Sequence, residues 1–142
     1  MKPDPITYTS GDDARTDELA AIHTAVTAFN NAAAPLDDVR PLVCLARLSD
    51  GTLVGGAIAR TWGGCCELQQ LWVEEAHRRC GIGRELVGRI EHAASNRGCT
   101  VIYLETFSFQ APTLYRKLGY AQACELTGFP DGITKLLMQK AL

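Results

Sequence analysis

A glycine-rich segment, residues 78–84, lies between a predicted strand at 67–73 and the clearest helical run of the chain, 84–96. Gly81 and Gly83 allow the backbone to turn tightly and bring its N–H groups close to a ligand. The helix that follows directs the positive end of its dipole toward the same place, and three arginines add full positive charge. This combination predicts a loop that binds a phosphate or a pyrophosphate.

Two common phosphate motifs do not fit this segment. The dinucleotide motif G-x-G-x-x-G requires a third glycine where Leu86 stands, and residues 74–80 separate the strand from the glycines. The P-loop pattern G-x-x-x-x-G-K-[ST] is absent from the chain. What remains is R-x-x-G-x-G, formed by Arg78, Gly81 and Gly83. An ordinary glycine turn before an arginine-rich helix would contain the same residues, so this pattern alone leaves both interpretations open.

Length and composition restrict the class of protein. A chain of 142 residues with 46% hydrophobic residues predicts one domain, residues 1–142, with a proper core. A net charge of −2 predicts no surface for nucleic acid. No apolar run reaches the roughly 20 residues of a membrane span, and no apolar signal region follows the N-terminus, so we expect a cytoplasmic protein without a membrane partner.

The six cysteines predict free thiols and no metal site. Neither a C-x-x-C pair nor a Cys/His ligand spacing occurs among them. Cys80 stands inside the glycine-rich segment and is the one cysteine expected near a ligand.

Turn signals and hydrophobic periodicity predict the element order β-α-β-β-β-α-β-α-β-β. The predicted strands are 6–9, 42–48, 53–61, 65–73, 100–106, 120–127 and 133–140. The predicted helices are 14–33, capped by Asp12 or Asp13, then 83–98 and 112–119. Residues 49–52 predict a hairpin turn, and Gly55-Gly56 indicates a bulge or a close approach. This order is typical of a single α/β domain in which 100–106 runs parallel to 65–73.

A second motif lies downstream and carries a resemblance to a known family. Residues 111–120 read A-P-T-L-Y-R-K-L-G-Y, and they follow T-F-S-F-Q at 106–110. Together with R-x-x-G-x-G, this resembles the GNAT N-acetyltransferases, in particular small bacterial single-domain members, over about 42–142. The resemblance implies an α/β mixed sheet, mostly antiparallel with a parallel splayed pair, and helices on both faces.

The resemblance implies acetyl-coenzyme A as the co-substrate and no metal. In that family the pyrophosphate binds the glycine loop, and the pantetheine arm pairs with strand backbone in the splayed gap. The residues implied to contact the coenzyme are Leu71, Trp72, Val73, Arg78, Arg79, Cys80, Gly81, Ile82, Gly83, Arg84, Ser108, Gln110 and Tyr115. The Val73 backbone N–H is expected to polarise the thioester oxygen. Ser108 stands where many members of the family have an Asn that contacts the coenzyme. The Ser108 hydroxyl either makes this contact or caps the next helix. In the second case Gln110 is expected to contact the coenzyme instead.

Two side chains are candidates for proton transfer. Tyr115 matches the tyrosine of the family that protonates the departing thiolate, although a packed helical tyrosine fits the sequence as well. Glu67 matches the glutamate that serves as general base in some members, and a solvated strand charge is the alternative. Strict strand alternation predicts that Glu67, Gln69 and Leu71 share one face.

The resemblance therefore implies direct acetyl transfer to a primary amine of a small molecule or a peptide. Two alternatives remain at this point: a sensor that binds acetyl-coenzyme A without turnover, and a toxin that acetylates aminoacyl-tRNA. The lack of a basic stripe argues against the second alternative. We expect the acceptor site to be shaped by residues 14–39 and by the loop 129–132. A cationic acceptor is indicated by the acidic residues Asp37, Asp38 and Glu67. The resemblance also implies a possible homodimer.

Overall fold

The computed structural model describes residues 4–142 and divides the chain after Asp37 into two units. Among its described residues, the first unit contains the α-helix α1 (Thr16–Ala33), none of whose residues is buried. The helix begins after Arg15, whose backbone N–H donates to the Glu18 carboxylate at 3.2 Å. The predicted cap by Asp12 or Asp13 is therefore wrong, because a carboxylate inside the first turn takes that role.

The predicted strand at 6–9 is also wrong, since these residues form no regular element. Alternation of apolar residues over four positions favours a strand only where a neighbouring strand pairs with it. Residues 1–3 lie outside the described residues, so the predictions of an absent signal region and of one domain over 1–142 stay predictions.

The second unit, Asp38–Leu142, is built on a six-stranded sheet in the order β1-β2-β3-β4-β6-β5. Every neighbouring pair is antiparallel except β3 and β4, which are parallel, as the sequence predicted. The strands are β1 (Arg40–Arg47), β2 (Leu53–Trp62), β3 (Cys65–Val73), β4 (Val101–Phe107), β5 (Ala121–Leu126) and β6 (Lys135–Ala141). The helices are α2 (Ile82–Asn96) and α3 (Pro112–Lys117).

The hairpin turns follow the sequence signals. Gly51 has a φ of +90°, and the Thr52 N–H donates to the Asp50 carboxylate at 2.9 Å, which lowers the pKa of that carboxyl. Gly63, with a φ of +54°, closes the next hairpin and sets Arg60 opposite Glu67. These two turns fix the registers that bring β1, β2 and β3 side by side.

The parallel pair separates part-way along its length. β3 and β4 pair only from Cys65 with Val101 to Leu68 with Leu104. Beyond this point each strand continues alone on that side, which leaves a gap between residues 69–73 of β3 and 105–107 of β4. We call this space the gap.

A bulge at Gln69 marks the beginning of the gap. The β2 register passes from Ala59 opposite Leu68 to Ile58 opposite Gln70, so Gln69 is the extra residue. Because side chains alternate along a strand, the insertion brings Leu71 to the face of Leu68 and leaves Glu67 on the other face. The predicted shared face of Glu67, Gln69 and Leu71 is therefore wrong.

The core lies on one face of the sheet, where side chains of α2 and α3 join those of the strands. Its central members are Ala57, Ala59, Cys66, Leu68, Leu86, Val87, Ile90, Ala94, Ile102, Leu104, Tyr115, Tyr120, Leu136 and Met138. Gly55 permits a close approach, because a Cβ there would lie 3.2 Å from the side chain of Ile82. The prediction of a helix on the opposite face concerns α1 and stays a prediction.

Polar contacts hold α2 against the sheet. The Tyr120 hydroxyl donates to the Glu91 carboxylate at 2.9 Å, and Lys140 lies 3.0 Å from the same carboxylate. Burial and the Glu91 charge together raise the pKa of Tyr120. At the C-terminal end of the helix, Arg97 donates to the Pro41 carbonyl at 3.0 Å. With α2 fixed at these points, its N-terminus is directed at the mouth of the gap.

Candidate active site

Two residues of the loop before α2 have a left-handed backbone conformation. Arg79 has a φ of +62°, and Gly81, the N-cap residue of α2, has a φ of +83°. The first N–H groups of a helix have no intrahelical acceptor. Within residues 4–142, no backbone N–H from 79 to 84 donates to a protein acceptor. Such a run of free N–H groups is a nest for an anion.

Cationic side chains surround this nest. Arg78, Arg79 and Arg84 all line the adjoining cavity. The Arg78 Nε donates to the Val73 carbonyl at 3.0 Å, which fixes this guanidinium at the end of β3. Guanidinium groups and free backbone N–H groups together favour a phosphate or a pyrophosphate.

The cavity runs from this loop into the gap and has a volume of about 760 Å³. Both helices of the unit and both parallel strands contribute to it. The lining residues are 68–73, 77–79, 81–84, 104–106, 109–111, 114 and 115. This space is large enough for an extended ligand arm as well as a phosphate group.

The free edge of β3 offers backbone groups to such an arm. The Glu74 N–H donates to the Val54 carbonyl of β2 at 2.8 Å. Because successive residues of a strand point their N–H groups to opposite sides, the Val73 N–H points away from β2 and into the gap. An extended ligand can therefore add to β3 as a strand would.

Tyr115 contributes a neutral phenol to the cavity. Its side chain is 6% exposed, and burial raises its pKa to about 12. The ring packs edge-on against Tyr120 at 5.7 Å. Among the described residues, the Tyr115 hydroxyl has no hydrogen-bond partner. Every fully buried polar side-chain atom of these residues does have a partner, so the Tyr115 hydroxyl is not fully buried. Since Tyr115 lines the cavity, its hydroxyl is open to that space. It remains a proton-bearing donor at neutral pH.

Glu67 lies on the other side of the gap. The Arg60 Nε donates to its carboxylate at 2.6 Å, in a cross-strand pair that the Gly63-Gly64 turn sets. Glu67 lines a second cavity of about 270 Å³, which also includes Phe107 and Lys135. The structure therefore places Glu67 and Tyr115 in different cavities. The residues that line both cavities are Leu68, Gln69, Glu105, Thr106 and Gln110.

Two of the residues predicted to contact the coenzyme lie outside the lining of the larger cavity. The Ser108 hydroxyl accepts a hydrogen bond from the Thr134 N–H at 3.1 Å, and Ala111 is the N-cap residue of α3. The predicted helix cap by Ser108 is therefore wrong, because its hydroxyl is bound to Thr134, the residue before β6. The Cys80 side chain is exposed and lies 3.5 Å from the Arg78 carbonyl. Coenzyme contacts of both residues stay predictions.

Several residues that line the cavity were not predicted as site residues. Gln69 lines it because of the bulge, which no local sequence pattern indicates. Phe109 and Leu114 lie in the downstream motif, which could have indicated them. The Arg60–Glu67 pair had a signal, since a two-residue turn at 63–64 sets residue 60 opposite 67.

The part of the chain that the structure describes, residues 4–142, has neither a metal-ligand cluster nor a helix that could cross a membrane. No group of three or more His, Cys, Asp or Glu side chains is arranged to hold a metal ion. No helix in this part of the chain has the length and apolar character needed to cross a membrane.

Comparison with known proteins decides the family. The model of the Acetyltransferase (GNAT) family matches residues 12–120. The chain belongs to the GNAT acetyltransferase family. Acetyl-coenzyme A is the acetyl donor of this family, and the nest, the arginines and the free edge of β3 fit its pyrophosphate and its pantetheine arm.

Related GNAT proteins include enzymes named for small acceptors. The chain is 34% identical to a blasticidin-S acetyltransferase from Streptomyces morookaense over 112 residues, 76% of this chain and 82% of the relative. It is 41% identical to an IAA acetyltransferase from Azospirillum brasilense over 109 residues, 74% and 69% of the two chains. An acetyltransferase structure from Bacillus cereus ATCC 14579 superposes with a TM-score of 0.81 at 26% identity, covering 94% of this chain and 98% of that one.

Proposed function

We propose that this GNAT protein transfers the acetyl group of acetyl-coenzyme A directly to a primary amine of a small molecule. The observation that carries the proposal is the gap, which has an anion nest and a large cavity on one side and a smaller cavity on the other. The two substrates can therefore approach one carbonyl carbon from different sides. The relatives named for blasticidin-S and IAA favour a small molecule over a peptide.

The loop and the β3 edge bind and orient the coenzyme in this proposal. The free N–H groups of 79–84 and the guanidinium of Arg84 hold the pyrophosphate. The pantetheine arm pairs with β3 beyond the bulge. This places the thioester next to the Val73 N–H, which polarises its oxygen as negative charge develops there.

Tyr115 stabilises the leaving group. The amine lone pair forms the C–N bond, the C–S bond breaks, and the sulfur leaves with the electron pair of that bond. A thiol has an ordinary pKa of about 8.5, so full proton transfer from a phenol with a pKa of about 12 is unfavourable. The Tyr115 hydroxyl therefore donates a hydrogen bond to the sulfur as its charge grows, and the proton released by nitrogen balances the thiolate.

Glu67 accepts the amine proton through water in the second cavity. The pair with Arg60 fixes the position of this carboxylate at 2.6 Å from the guanidinium, where it lines the second cavity. A carboxylate at this place can relay a proton from the amine through water. We expect Glu67 to contribute most to turnover at low pH, where the amine arrives charged.

An acceptor screen tests the proposal. Acetyl-coenzyme A is incubated with the protein and with polyamines, aminoglycosides, amino acids, nucleoside antibiotics or peptides, and both thiol release and acetylated products are measured. We expect thiol release with a small primary amine, and acetyl groups on the amine but not on the protein. Coenzyme binding without turnover on any amine would contradict the proposal, as would an acetylated protein intermediate.

A further inference from the structure

The carboxamide of Gln110 is held in one orientation at the end of β4. Its Oε1 accepts hydrogen bonds from the Phe107 N–H at 2.8 Å and from the Thr106 hydroxyl at 3.3 Å. A backbone N–H can only donate, so the oxygen of the amide must face Phe107. The two ends of this side chain are therefore distinguished by their chemistry.

The other end of the carboxamide is a free donor. The Nε2 amino group makes no hydrogen bond to any described residue. Gln110 lines both the larger and the smaller cavity. In the proposed acetyl transfer the acetyl group passes between these two cavities, so the residues that line both of them flank the reacting carbonyl. An oriented donor at this place meets the oxygen on which charge develops during transfer.

We propose that Gln110 is a catalytic residue whose Nε2–H donates to the acetyl carbonyl oxygen in the tetrahedral intermediate. This inference rests on the proposed acetyl transfer. The hydrogen bonds from Thr106 and Phe107 hold the amide before the substrates bind, so little reorganisation accompanies the reaction. Gln110 thereby adds a side-chain donor to the backbone donor on β3.

The Gln110→Glu variant separates catalysis from local structure. Glutamate has the same shape and keeps an oxygen for the Phe107 N–H and the Thr106 hydroxyl, but it replaces the free donor by a second oxygen. We expect kcat to fall by about 10²-fold or more, with the KM for acetyl-coenzyme A changed by less than about threefold. The melting temperature should stay near that of the wild type.

The pH profile provides a signature that a structural role would not give. Protonation of the introduced glutamate restores an O–H donor and removes its charge. The wild-type to variant ratio of kcat should therefore shrink as the pH falls toward 5. Gln122→Glu is the matched control, since it adds the same charge on β5 at an exposed position outside both cavities, and it should leave kcat unchanged.

Other outcomes overturn the assignment. An unchanged kcat with a raised KM for acetyl-coenzyme A would make Gln110 a coenzyme contact only. A lowered melting temperature with wild-type kcat per folded molecule would make it a structural cap. Wild-type turnover in the same assay verifies the proposed function separately, so failure of one idea is not mistaken for failure of the other.

Discussion

Burial determines the protonation state of Tyr115. Its ring packs in the core against Tyr120, while its hydroxyl opens to the cavity. The pKa raised to about 12 keeps the phenol protonated above its ordinary pKa of about 10. The unfolded chain ionises this phenol from pH about 10 whereas the folded chain does not, so the free energy of unfolding should decrease as the pH rises from about 10 toward 12.

Replacing Tyr115 by phenylalanine tests this residue. The ring and its packing remain and the donor is lost, so kcat should fall by about 10²-fold with little change in coenzyme affinity. Because Tyr115 stays protonated throughout, the wild-type to variant ratio should be constant from pH 7 to 10. Steady-state kinetics on the acceptor from the screen measures it. A variant with wild-type kcat at every pH would remove Tyr115 from the mechanism.

The Glu67→Gln substitution tests whether this carboxylate relays the proton of the amine. If its carboxylate relays the amine proton, the loss in kcat should be greatest at low pH and should be partly rescued by an acceptor amine of low pKa. Kinetics with two amines of different pKa, across pH 6 to 9, would measure this. Equal loss at every pH would instead indicate that the Arg60 pair matters only for the strand register.

At the level of elements, Gly81 at the N-cap of α2 and Gly88 inside α2 have different roles. Gly81 has a φ of +83°, which an L side chain rarely adopts, although a Cβ there would meet open space. Gly88 lies within the helix, and a Cβ there also meets nothing within 4 Å. The first glycine is needed for the shape of the loop, and the second only makes the unfolded chain more flexible.

A matched pair of alanine substitutions separates these roles. Gly81→Ala should lower the free energy of unfolding by about 1–2 kcal/mol, because alanine is strained in the left-handed region. Gly88→Ala should raise it by about 0.5–1 kcal/mol through helix propensity. Urea denaturation measures both values. Equal effects of the two changes would show that the left-handed conformation of Gly81 is not required.

The sequence predicted most elements because their signals are local. Residues that are neighbours in the chain predict the turn at 49–52 and the helix that follows Gly81. They also predict the order of the strands before and after α2. The bulge at Gln69 could not be predicted, since it depends on the pairing of β3 with β2. It also brought Leu71 to the face of Leu68, so that Glu67 and Leu71 do not share the face that strict alternation predicted.

Contacts between distant residues limited the prediction of the site in the same way. The Ser108 hydroxyl is occupied by Thr134, 26 residues later. Residues 6–9 were predicted as a strand from their alternating pattern, but they form no strand in the structure. The candidate residues of the glycine-rich loop could be predicted because a single short segment, residues 78–84, contains them all.

At the scale of the whole Asp38–Leu142 unit, the candidate site lies where the parallel strands β3 and β4 separate. β3 and β4 stop pairing after Leu68 and Leu104, and the opening carries unpaired backbone from β3 and side chains from β4 and α3. α2 is fixed to the sheet by Glu91 and Arg97, so its N-terminus remains at the mouth of this opening. Arg78 and Arg79 from the loop and Arg84 from the first turn of α2 bring cationic charge to the same opening.

The most direct test compares coenzyme A with pantetheine, which has the arm but no pyrophosphate, by calorimetry. The wild-type protein should bind coenzyme A at least about 10²-fold more tightly, because the loop contributes charge-assisted hydrogen bonds that pantetheine cannot accept. Gly83→Asp should abolish this difference, and Gly88→Asp, which adds the same charge farther along α2, should preserve it. Equal binding of the two ligands by the wild type, or undiminished coenzyme A affinity in Gly83→Asp, would contradict the assignment of the site.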